Sequence, residues 1–214
     1  MKYDALNVGE FDLSLGVDFL LHLRDQAKFT FISSNLFDKE KNQLLFNPYL
    51  IKTYKKWKVG IFGVLSPQTA QNKSEISIQD PFVTAKAMVD KLKTQTDLII
   101  CLSNLGLSED KKLCEMVPGI HIIIGSGSGT LLSEPLGEKS TIILQAYQKG
   151  EYIGILEVKG IAARVNHPHP NLYRSAMAKL DSTYPDDPEI KTMIATFKAN
   201  HNSPTPLLPF PLPK

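Results

Sequence analysis

Residues 97–135 read DLIICLSNLGLSEDKKLCEMVPGIHIIIGSGSGTLLSEP, and the rest of the chain is organised around this stretch. It opens with an apolar run at residues 98–102, whose length and β-branched content predict a strand buried on both faces. A second run of the same kind, at residues 120–124, leads directly into the glycine-rich sequence GSGSGT at residues 125–130. The stretch therefore predicts two buried strands connected by the 17 residues 103–119.

The connecting residues predict a short polar loop followed by a helix. Ser103 and Asn104 form the expected loop, and Ser108 is the expected N-cap. Glu109 and Asp110 then fall in the first turn, where the helix dipole favours negative charge. Such a strand, helix and strand place both loops at the carboxyl ends of the strands, where open α/β sheets carry their binding and catalytic groups.

Length and composition predict one globular domain with a tail. The chain has 214 residues, and 43% of them are hydrophobic. Its formal net charge is only +2, and we find no basic stripe of the kind that binds nucleic acid. No apolar run approaches the roughly 20 residues needed to cross a bilayer, which predicts a soluble chain with no membrane span. Cys101 and Cys114 form neither a disulfide framework nor a metal motif, so we expect buried free thiols.

The remaining elements follow from apolar spacing and from helix and turn signals. Asp80 and Pro81 are good N-cap and N1 residues for a helix at 79–95, whose apolar face would carry Val83 and Leu92 together with Ala87 and Met88. Further helices are expected at 15–28 and 188–201. Strands are expected at 3–9 and 29–34, in a hairpin of 49–54 with 57–64, and in an antiparallel pair of 141–147 with 152–158.

The character of the chain changes beyond residue 160. Pro168 and Pro170 exclude regular structure around them, and His167 and His169 lack a third metal ligand nearby. We therefore expect a main domain at residues 1–163, a proline-rich loop with a C-terminal helix at 164–201, and an extended proline-rich tail at 202–214.

The two strand ends resemble those of the 5'-nucleotidase type of calcineurin-like metallophosphoesterases. In that family the corresponding strands end in Thr-His-Leu-Gly and Gly-Gly-His-Ser-His-Thr, and the three histidines help to bind a pair of metal ions. This chain has Asn104 at the first of these positions and Gly127 and Gly129 at the other two. The resemblance implies that the scaffold is kept while these metal ligands are replaced.

The first residues carry a second part of the same resemblance. The sequence YDALNVG is similar to a family strand that leads into Gly-Asn-His-Glu, in which the asparagine is a metal ligand and the histidine acts on the phosphate. Without a gap, Glu10 replaces the asparagine, Phe11 the histidine and Asp12 the glutamate. If Glu10, Phe11 and Asp12 are instead paired with the residues after the histidine, Gly9 takes the place of the histidine. Either pairing leaves no histidine to move a proton.

The resemblance implies an α/β fold, a layered α/β/β/α sandwich of the metallophosphoesterase type that lacks its first strands. A sheet without its leading strands has an exposed edge, so we expect a homodimer or pairing with an N-terminal segment through that edge. Relatives of this family are commonly exported, which suggests a periplasmic or exported location.

Three interpretations of the function remain open on the sequence. In the first, the chain is a non-catalytic relative that serves as a binding or interaction module, with no catalytic residue and no cofactor. In the second, it is a metal-dependent phosphoester hydrolase that holds a divalent metal with Glu10, Asp12 and Asn104, and with Asp110 as a further candidate. In the third, GSGSGT cradles a nucleotide phosphate. The third is disfavoured because residues 131–135 are too short and too close to a proline to begin a helix.

Overall fold

The computed structural model describes residues 3–138, 140–160 and 173–200. Two compact units are distinguished, Met1–Lys179 and Leu180–Lys214. The four α-helices of the described residues are α1 (Val17–Gln26), α2 (Pro81–Leu92), α3 (Leu107–Met116) and α4 (Pro188–Asn200). Within that part of the chain, none of the helices combines the length and the apolar character needed to cross a membrane.

Thirteen strands lie in the described residues of the first unit. They are β1 (Ala5–Asn7), β2 (Thr30–Ile32), β3 (Leu36–Asp38), β4 (Gln43–Leu44), β5 (Tyr49–Tyr54), β6 (Trp57–Leu65), β7 (Ile76–Ile78), β8 (Leu98–Asn104), β9 (Ile122–Gly125), β10 (Leu136–Glu138), β11 (Thr141–Leu144), β12 (Tyr152–Val158) and β13 (Tyr173–Lys179).

A six-stranded sheet with the order β10, β11, β9, β8, β6, β5 forms the centre of the unit. Its four inner strands run parallel, and β5 and β10 are antiparallel edge strands. Parallel pairing requires a crossover, which α2 supplies between β6 and β8 and α3 supplies between β8 and β9. The carboxyl ends of β6, β8 and β9 consequently meet at one edge of the sheet.

Alternate residues of the inner strands build two different cores. On one face, strand residues such as Phe62, Ile99 and Ile123 pack with Ala85 of α2 and Leu113 of α3. The opposite face carries Val59, Ile61, Leu98 and Ile122, and partly buried residues of β1 and β12 pack against it. The helices therefore cover one face, and two small sheets, β1 with β2 and β12 with β13, cover the other.

A third core lies outside the β1–β2 pair. It joins Leu20 of α1 to Val8, Phe31 and Leu36. The order of layers is helix, six-stranded sheet, two-stranded sheets and helix, which confirms the predicted α/β/β/α sandwich.

Several local predictions are confirmed. The hairpin of β5 and β6 turns at Lys55, which has a positive φ of 54°. The Asp80 carboxylate accepts hydrogen bonds from the backbone N–H groups of Phe82 and Val83, as expected of the N-cap of α2. Cys101 and Cys114 are buried thiols that are not joined in a disulfide, and burial raises the pKa of Cys101 well above its ordinary value.

Other local predictions are wrong in detail. The helix α3 begins after Gly106, so Ser108 is not its N-cap, and β8 continues through Ser103 to Asn104 where a loop was expected. Val83 is 71% exposed, because α2 turns Thr84, Ala85, Val89 and Leu92 towards the sheet.

The predicted antiparallel pairing of residues 141–147 with residues 152–158 is also wrong. β11 pairs in parallel with β9 inside the central sheet, whereas β12 pairs with β13 in a separate ribbon. The strand β13 was not expected, since its residues lay in the predicted loop-and-helix segment. The predicted boundary after residue 163, the histidines at 167 and 169 and the tail at 202–214 fall outside the described residues.

The second unit contributes the helix α4. It begins at Pro188, and the Asp187 carboxylate accepts hydrogen bonds from the N–H groups of Glu189 and Ile190. This is the N-cap arrangement that satisfies the first free donors of a helix. The predicted helix at 188–201 is thereby confirmed through Asn200.

Candidate functional site

The candidate site lies at the carboxyl ends of β1, β8 and β9. Asn7, the last residue of β1, donates from Nδ2 to the carbonyl oxygens of Val64 (3.1 Å) and Leu102 (2.9 Å). These two bonds hold β1 across β6 and β8. The turn at Gly9 and Glu10 therefore lies beside the end of β8.

Asn104 is the last residue of β8, and both ends of its amide are hydrogen-bonded. Its Oδ1 accepts from the backbone N–H of Glu10 at 3.3 Å, and its Nδ2 donates to Ser126 Oγ at 2.9 Å. Ser126 Oγ in turn donates to the carbonyl oxygen of Ser103 at 3.0 Å. Asn104 thus connects the turn after β1 to the loop after β9.

The loop of residues 125–130 follows β9 and is tied to the start of α3. The N–H of Gly106 donates to the Ser126 carbonyl at 2.9 Å. Gly127 and Gly129 have positive φ values of 91° and 60°, a backbone conformation that side chains disfavour. A Cβ atom on Gly127 would lie 3.3 Å from the Gly106 nitrogen, so this part of the loop has little room for a side chain.

Asp110 is fully buried beneath this loop. Ser103 Oγ donates to one of its carboxylate oxygens, and Gln145 Nε2 donates to the other at 3.1 Å. Burial raises the pKa of Asp110 to about 6, the two hydrogen bonds oppose this rise, and the negative charge of Glu109 adds to it. Asp110 consequently loses its proton at a higher pH than an ordinary aspartate does.

Gln145 extends the buried network to the loop. Its Oε1 accepts from Ser128 Oγ at 2.9 Å, and Ser128 Oγ also lies 2.9 Å from Thr130 Oγ1. Gly125 has to be a glycine beside this network, because a Cβ atom there would lie 2.2 Å from Asp110 Oδ2. The buried polar groups therefore set the path of the glycine-rich loop.

Glu10 and Asp12 lie in the turn after β1. The Asp12 carboxylate accepts a hydrogen bond from the Gly9 N–H at 2.7 Å and so closes its own turn. Glu10 and Phe11 line an open depression of about 310 Å³, together with a mostly polar set of neighbours. The neighbours are Ser14, Gln68, Thr69, Gln71, Asn72 and Lys73.

Comparison with known proteins gives one consistent result at the level of sequence. The chain is 30% identical to the 5'-nucleotidase of Bos taurus in an alignment that is 227 residues long and covers 91% of this chain and 38% of that protein. It is 32% identical to the uncharacterized metallophosphoesterase YunD of Bacillus subtilis over 142 residues, 65% of this chain and 31% of that protein. The chain thus spans well under half the length of these relatives. No protein-family model matches it.

The comparison with solved structures agrees with the comparison of sequences. It superposes on the 5'-nucleotidase precursor from Thermus thermophilus with a TM-score of 0.82 and 25% sequence identity, over 92% of this chain and 43% of that one. The chain belongs to the 5'-nucleotidase type of calcineurin-like metallophosphoesterases. Its fold class is the one that the family resemblance predicted.

The structure brings most of the sequence-predicted site residues of this metallophosphoesterase chain together. Asp12 and Asn104 both approach Gly9, since a Cβ atom there would lie 3.4 Å from Asp12 Oδ2 and 3.5 Å from Asn104 Nδ2. Gly127 packs against the backbone of Asn104. Gly129 lies apart from this group, beside the side chain of Gln148.

Asp110 has both of its carboxylate oxygens hydrogen-bonded to protein groups. Its two oxygens face Ser103 and Gln145 below the loop, whereas Glu10 and Asp12 lie in the turn after β1. The expectation that Asp110 could join Glu10, Asp12 and Asn104 in one metal site stays a prediction.

The family implies a pair of metal ions, and the residues described here do not fit them. Glycines 127 and 129 have no side-chain donor atoms, Asn104 Oδ1 accepts the Glu10 N–H, and one oxygen of the Asp12 carboxylate accepts the Gly9 N–H. Residues 3–138, 140–160 and 173–200 contain no group of three or more His, Cys, Asp or Glu side chains that could hold a metal ion. Two-metal sites are built from such side chains.

Sequence reasoning missed the buried polar network beneath the loop. Ser126 and Ser128 were part of the quoted motif, but no role was inferred for their hydroxyl groups. Gln145 gave a usable signal, because it is an amide directly after the apolar strand β11. A buried amide needs hydrogen-bond partners, and here the partners are Asp110 and Ser128.

Proposed function

We propose that this chain is a 5'-nucleotidase-like metallophosphoesterase domain that does not hydrolyse phosphoesters and acts as a binding or interaction module. The observation that carries the proposal is the double use of the Asn104 amide, which bonds the turn after β1 and the loop after β9. At the position where the family carries a metal-binding histidine, this side chain serves to join two loops. Its Oδ1 accepts one hydrogen bond from the backbone, and its Nδ2 donates one to Ser126 Oγ.

The glycine-rich loop supports the same proposal. Gly127 and Gly129 contribute backbone alone, and their positive φ values make a larger residue at either position strained. The loop is instead held by the hydroxyl groups of Ser126 and Ser128. Under this proposal the domain needs no metal cofactor.

A second candidate function is a metal-dependent phosphoester hydrolase with unusual ligands. The observation in its favour is that Glu10, Asp12 and Asn104 lie around one turn, next to the open polar depression. We rank it second because Asp12 accepts the Gly9 N–H, and because two carboxylates and one amide provide few ligands for a divalent cation.

An activity assay separates the two candidates. The purified chain is incubated with AMP and with p-nitrophenyl phosphate in the presence of Mn²⁺, Zn²⁺ or Mg²⁺, and bovine 5'-nucleotidase serves as the positive control. We expect no phosphate release above the metal-only blank. Elemental analysis of the same preparation is expected to find substoichiometric transition metal.

Metal-dependent turnover would contradict the first proposal and support the second. In that case Glu10→Gln and Asp12→Asn should abolish the turnover, while Glu75→Gln, outside the depression, should leave it unchanged. Turnover that survives both substitutions would indicate a contaminating phosphatase.

We further propose that the interaction role of the domain uses an exposed sheet edge. Among the described residues, β12 and β13 form a two-stranded ribbon, so each of these strands pairs on one side alone.

A further inference from the structure

His121 is a partly buried histidine just before β9, and its imidazole bonds to the backbone of β8. Its Nδ1 accepts a hydrogen bond from the Ile99 N–H at 3.0 Å. Its own N–H donates to the Ile99 carbonyl at 3.0 Å, and its carbonyl accepts from the Ile142 N–H at 3.0 Å. One residue therefore joins the amino-terminal ends of β8, β9 and β11.

The imidazole takes the place of a backbone acceptor at the start of the sheet ladder. The pairing of β8 with β9 is regular from Ile100 and Ile122 onwards. One step earlier, a parallel ladder would offer the Gly119 carbonyl to the Ile99 N–H. Gly119 has a φ of 105°, which is not a strand conformation, and the imidazole Nδ1 is the acceptor instead. Because Ile99 is only 1% exposed, its N–H depends on this acceptor.

This hydrogen bond defines the protonation state of the ring. An imidazole nitrogen that accepts a hydrogen bond carries no proton, so the neutral His121 ring has its proton on Nε2. The imidazolium form has an N–H group on both nitrogens. Protonation would therefore place a donor at Nδ1 against the Ile99 N–H. The buried Ile99 N–H would then lose its acceptor, which costs more than the net gain from an ordinary hydrogen bond.

The surroundings of His121 disfavour its charged form. Burial lowers the pKa of His121 below the ordinary value of 6.5, and no charged side chain of the described residues contributes to this shift. Within β8 and β11 the one titratable group is the Cys101 thiol, whose pKa is raised by burial and which stays neutral. The charged residues of the other elements that pack on this part of the sheet are Glu109, Asp110, Lys111, Lys112 and Glu115 of α3 and Glu157 of β12.

We propose that His121 is a pH-sensitive switch: its neutral imidazole holds the amino-terminal ends of β8 and β9 together, and its protonation in mildly acidic solution loosens them. The unfolded chain binds the proton more readily than the folded chain does, so the stabilisation is complete above pH 6.5 and decreases as the pH falls below it. His121 lies at the opposite end of β9 from the glycine-rich loop. The inference therefore does not depend on whether the strand-end site has catalytic activity.

Nuclear magnetic resonance of the unchanged chain tests the switch directly. Spectra recorded from about pH 8 to about pH 5 follow the ring nitrogens of His121 and the backbone amide of Ile99. We expect the proton to be on Nε2 at neutral pH and the ring to titrate below pH 6.5. The Ile99 amide proton should move upfield with the same midpoint, because it loses its acceptor. The Leu102 amide, further along β8, serves as the internal reference and should not share this transition.

The substitution His121→Asn separates the titration from the structural role. The asparagine side-chain oxygen can accept the Ile99 N–H, but it does not titrate. As the pH falls from about 7 to about 5, we expect the folded-to-unfolded ratio of the unchanged chain to decrease about tenfold more than that of the variant. Urea denaturation measures both ratios, and the effect of Asp110 cancels because both proteins keep it. His22→Asn, at an exposed position of α1, is the control and should keep the pH dependence of the unchanged chain.

Three results would overturn the proposal. They are an Ile99 amide that does not respond to the titration of His121, an imidazole that titrates at pH 6.5 or above, and a His121→Asn variant with the same pH dependence as the unchanged chain. A midpoint shared by the imidazole and the Ile99 amide supports the proposal. This measurement uses the unchanged chain, so it decides the matter even if the asparagine variant does not fold.

Discussion

Asp110 shows how a single residue can link the stability of the glycine-rich loop to pH. Its carboxyl group is fully buried, yet it accepts hydrogen bonds from Ser103 and Gln145, and these bonds oppose part of the cost of burying its charge. Gln145 also accepts a hydrogen bond from Ser128 Oγ, which connects Asp110 to the loop. Protonation of Asp110 therefore changes the charge of the group on which the loop rests.

We expect Asp110 to make the protein less stable as the pH rises from about 4 to about 6. The pKa of the folded-state carboxyl is about 6, against 3.8 for the ordinary value, so the unfolded chain loses its proton first in this window. The difference corresponds to a loss of about 3 kcal/mol that is complete above the folded-state pKa. Below the ordinary pKa both states are protonated and the effect disappears.

The substitution Asp110→Asn isolates this effect, because the amide is neutral at every pH and keeps an oxygen that can accept a hydrogen bond. As the pH rises from about 4 to about 6, we expect the free energy of unfolding of the unchanged chain to fall relative to that of the variant. Urea denaturation of both proteins at several pH values measures the difference. Parallel stability curves would contradict the assigned role of Asp110.

At the scale of elements, two of the four α-helices begin where an aspartate side chain satisfies their first donors. Asp80 caps α2 and Asp187 caps α4, and in both cases proline follows the cap. The helix α3 has no side-chain cap and begins at Gly106, which has a φ of 87°. Its start is held by the loop after β9, through the Gly106 N–H and the Leu107 N–H.

Removal of the α2 cap should have a measurable cost. We expect Asp80→Ala to lower the free energy of unfolding by about 1 kcal/mol, because the N–H groups of Phe82 and Val83 lose their acceptor. Asp90→Ala, on the same helix, is the matched control and should have a smaller effect, since its pairs with Lys86 and Lys93 are on the surface. Urea unfolding curves compare the two, and a larger loss for the Asp90 variant would contradict the prediction.

At the scale of the whole molecule, burial differs strongly between the two units. The inner strands of the first unit contribute fully buried side chains such as Phe62, Ile99 and Ile123. The helix α4 of the second unit contains no buried residue. Because hydrogen-exchange protection follows burial and cooperative packing, the two units should open with very different free energies.

Native-state hydrogen exchange tests this difference. We expect the amides of β6, β8 and β9 to exchange only by global unfolding, and those of α4 to exchange by local opening with little protection. Mass spectrometry of peptides spanning the two regions after a series of exchange times gives the comparison. Equal protection of α4 and β8 would contradict this prediction.

Most local structure was predictable from the sequence. An aspartate followed by a proline predicts the start of α2 at Asp80 and of α4 at Asp187. Two apolar runs around Lys55 predict the hairpin of β5 and β6. The buried strands β8 and β9 could be found because short β-branched runs are characteristic of parallel sheets. These features depend on residues within a few positions of one another, so the local sequence is sufficient to predict them.

Tertiary structure alone decided which strands pair and which groups meet at the site. β11 joins β9 instead of β12, and the face of α2 turned to the sheet leaves Val83 in solvent. The partners of Asn104 and Asp110 come from positions up to 94 residues away in the chain. A buried polar group needs a hydrogen-bond partner. Here the partners are on distant segments, which come close only when the layers pack against one another.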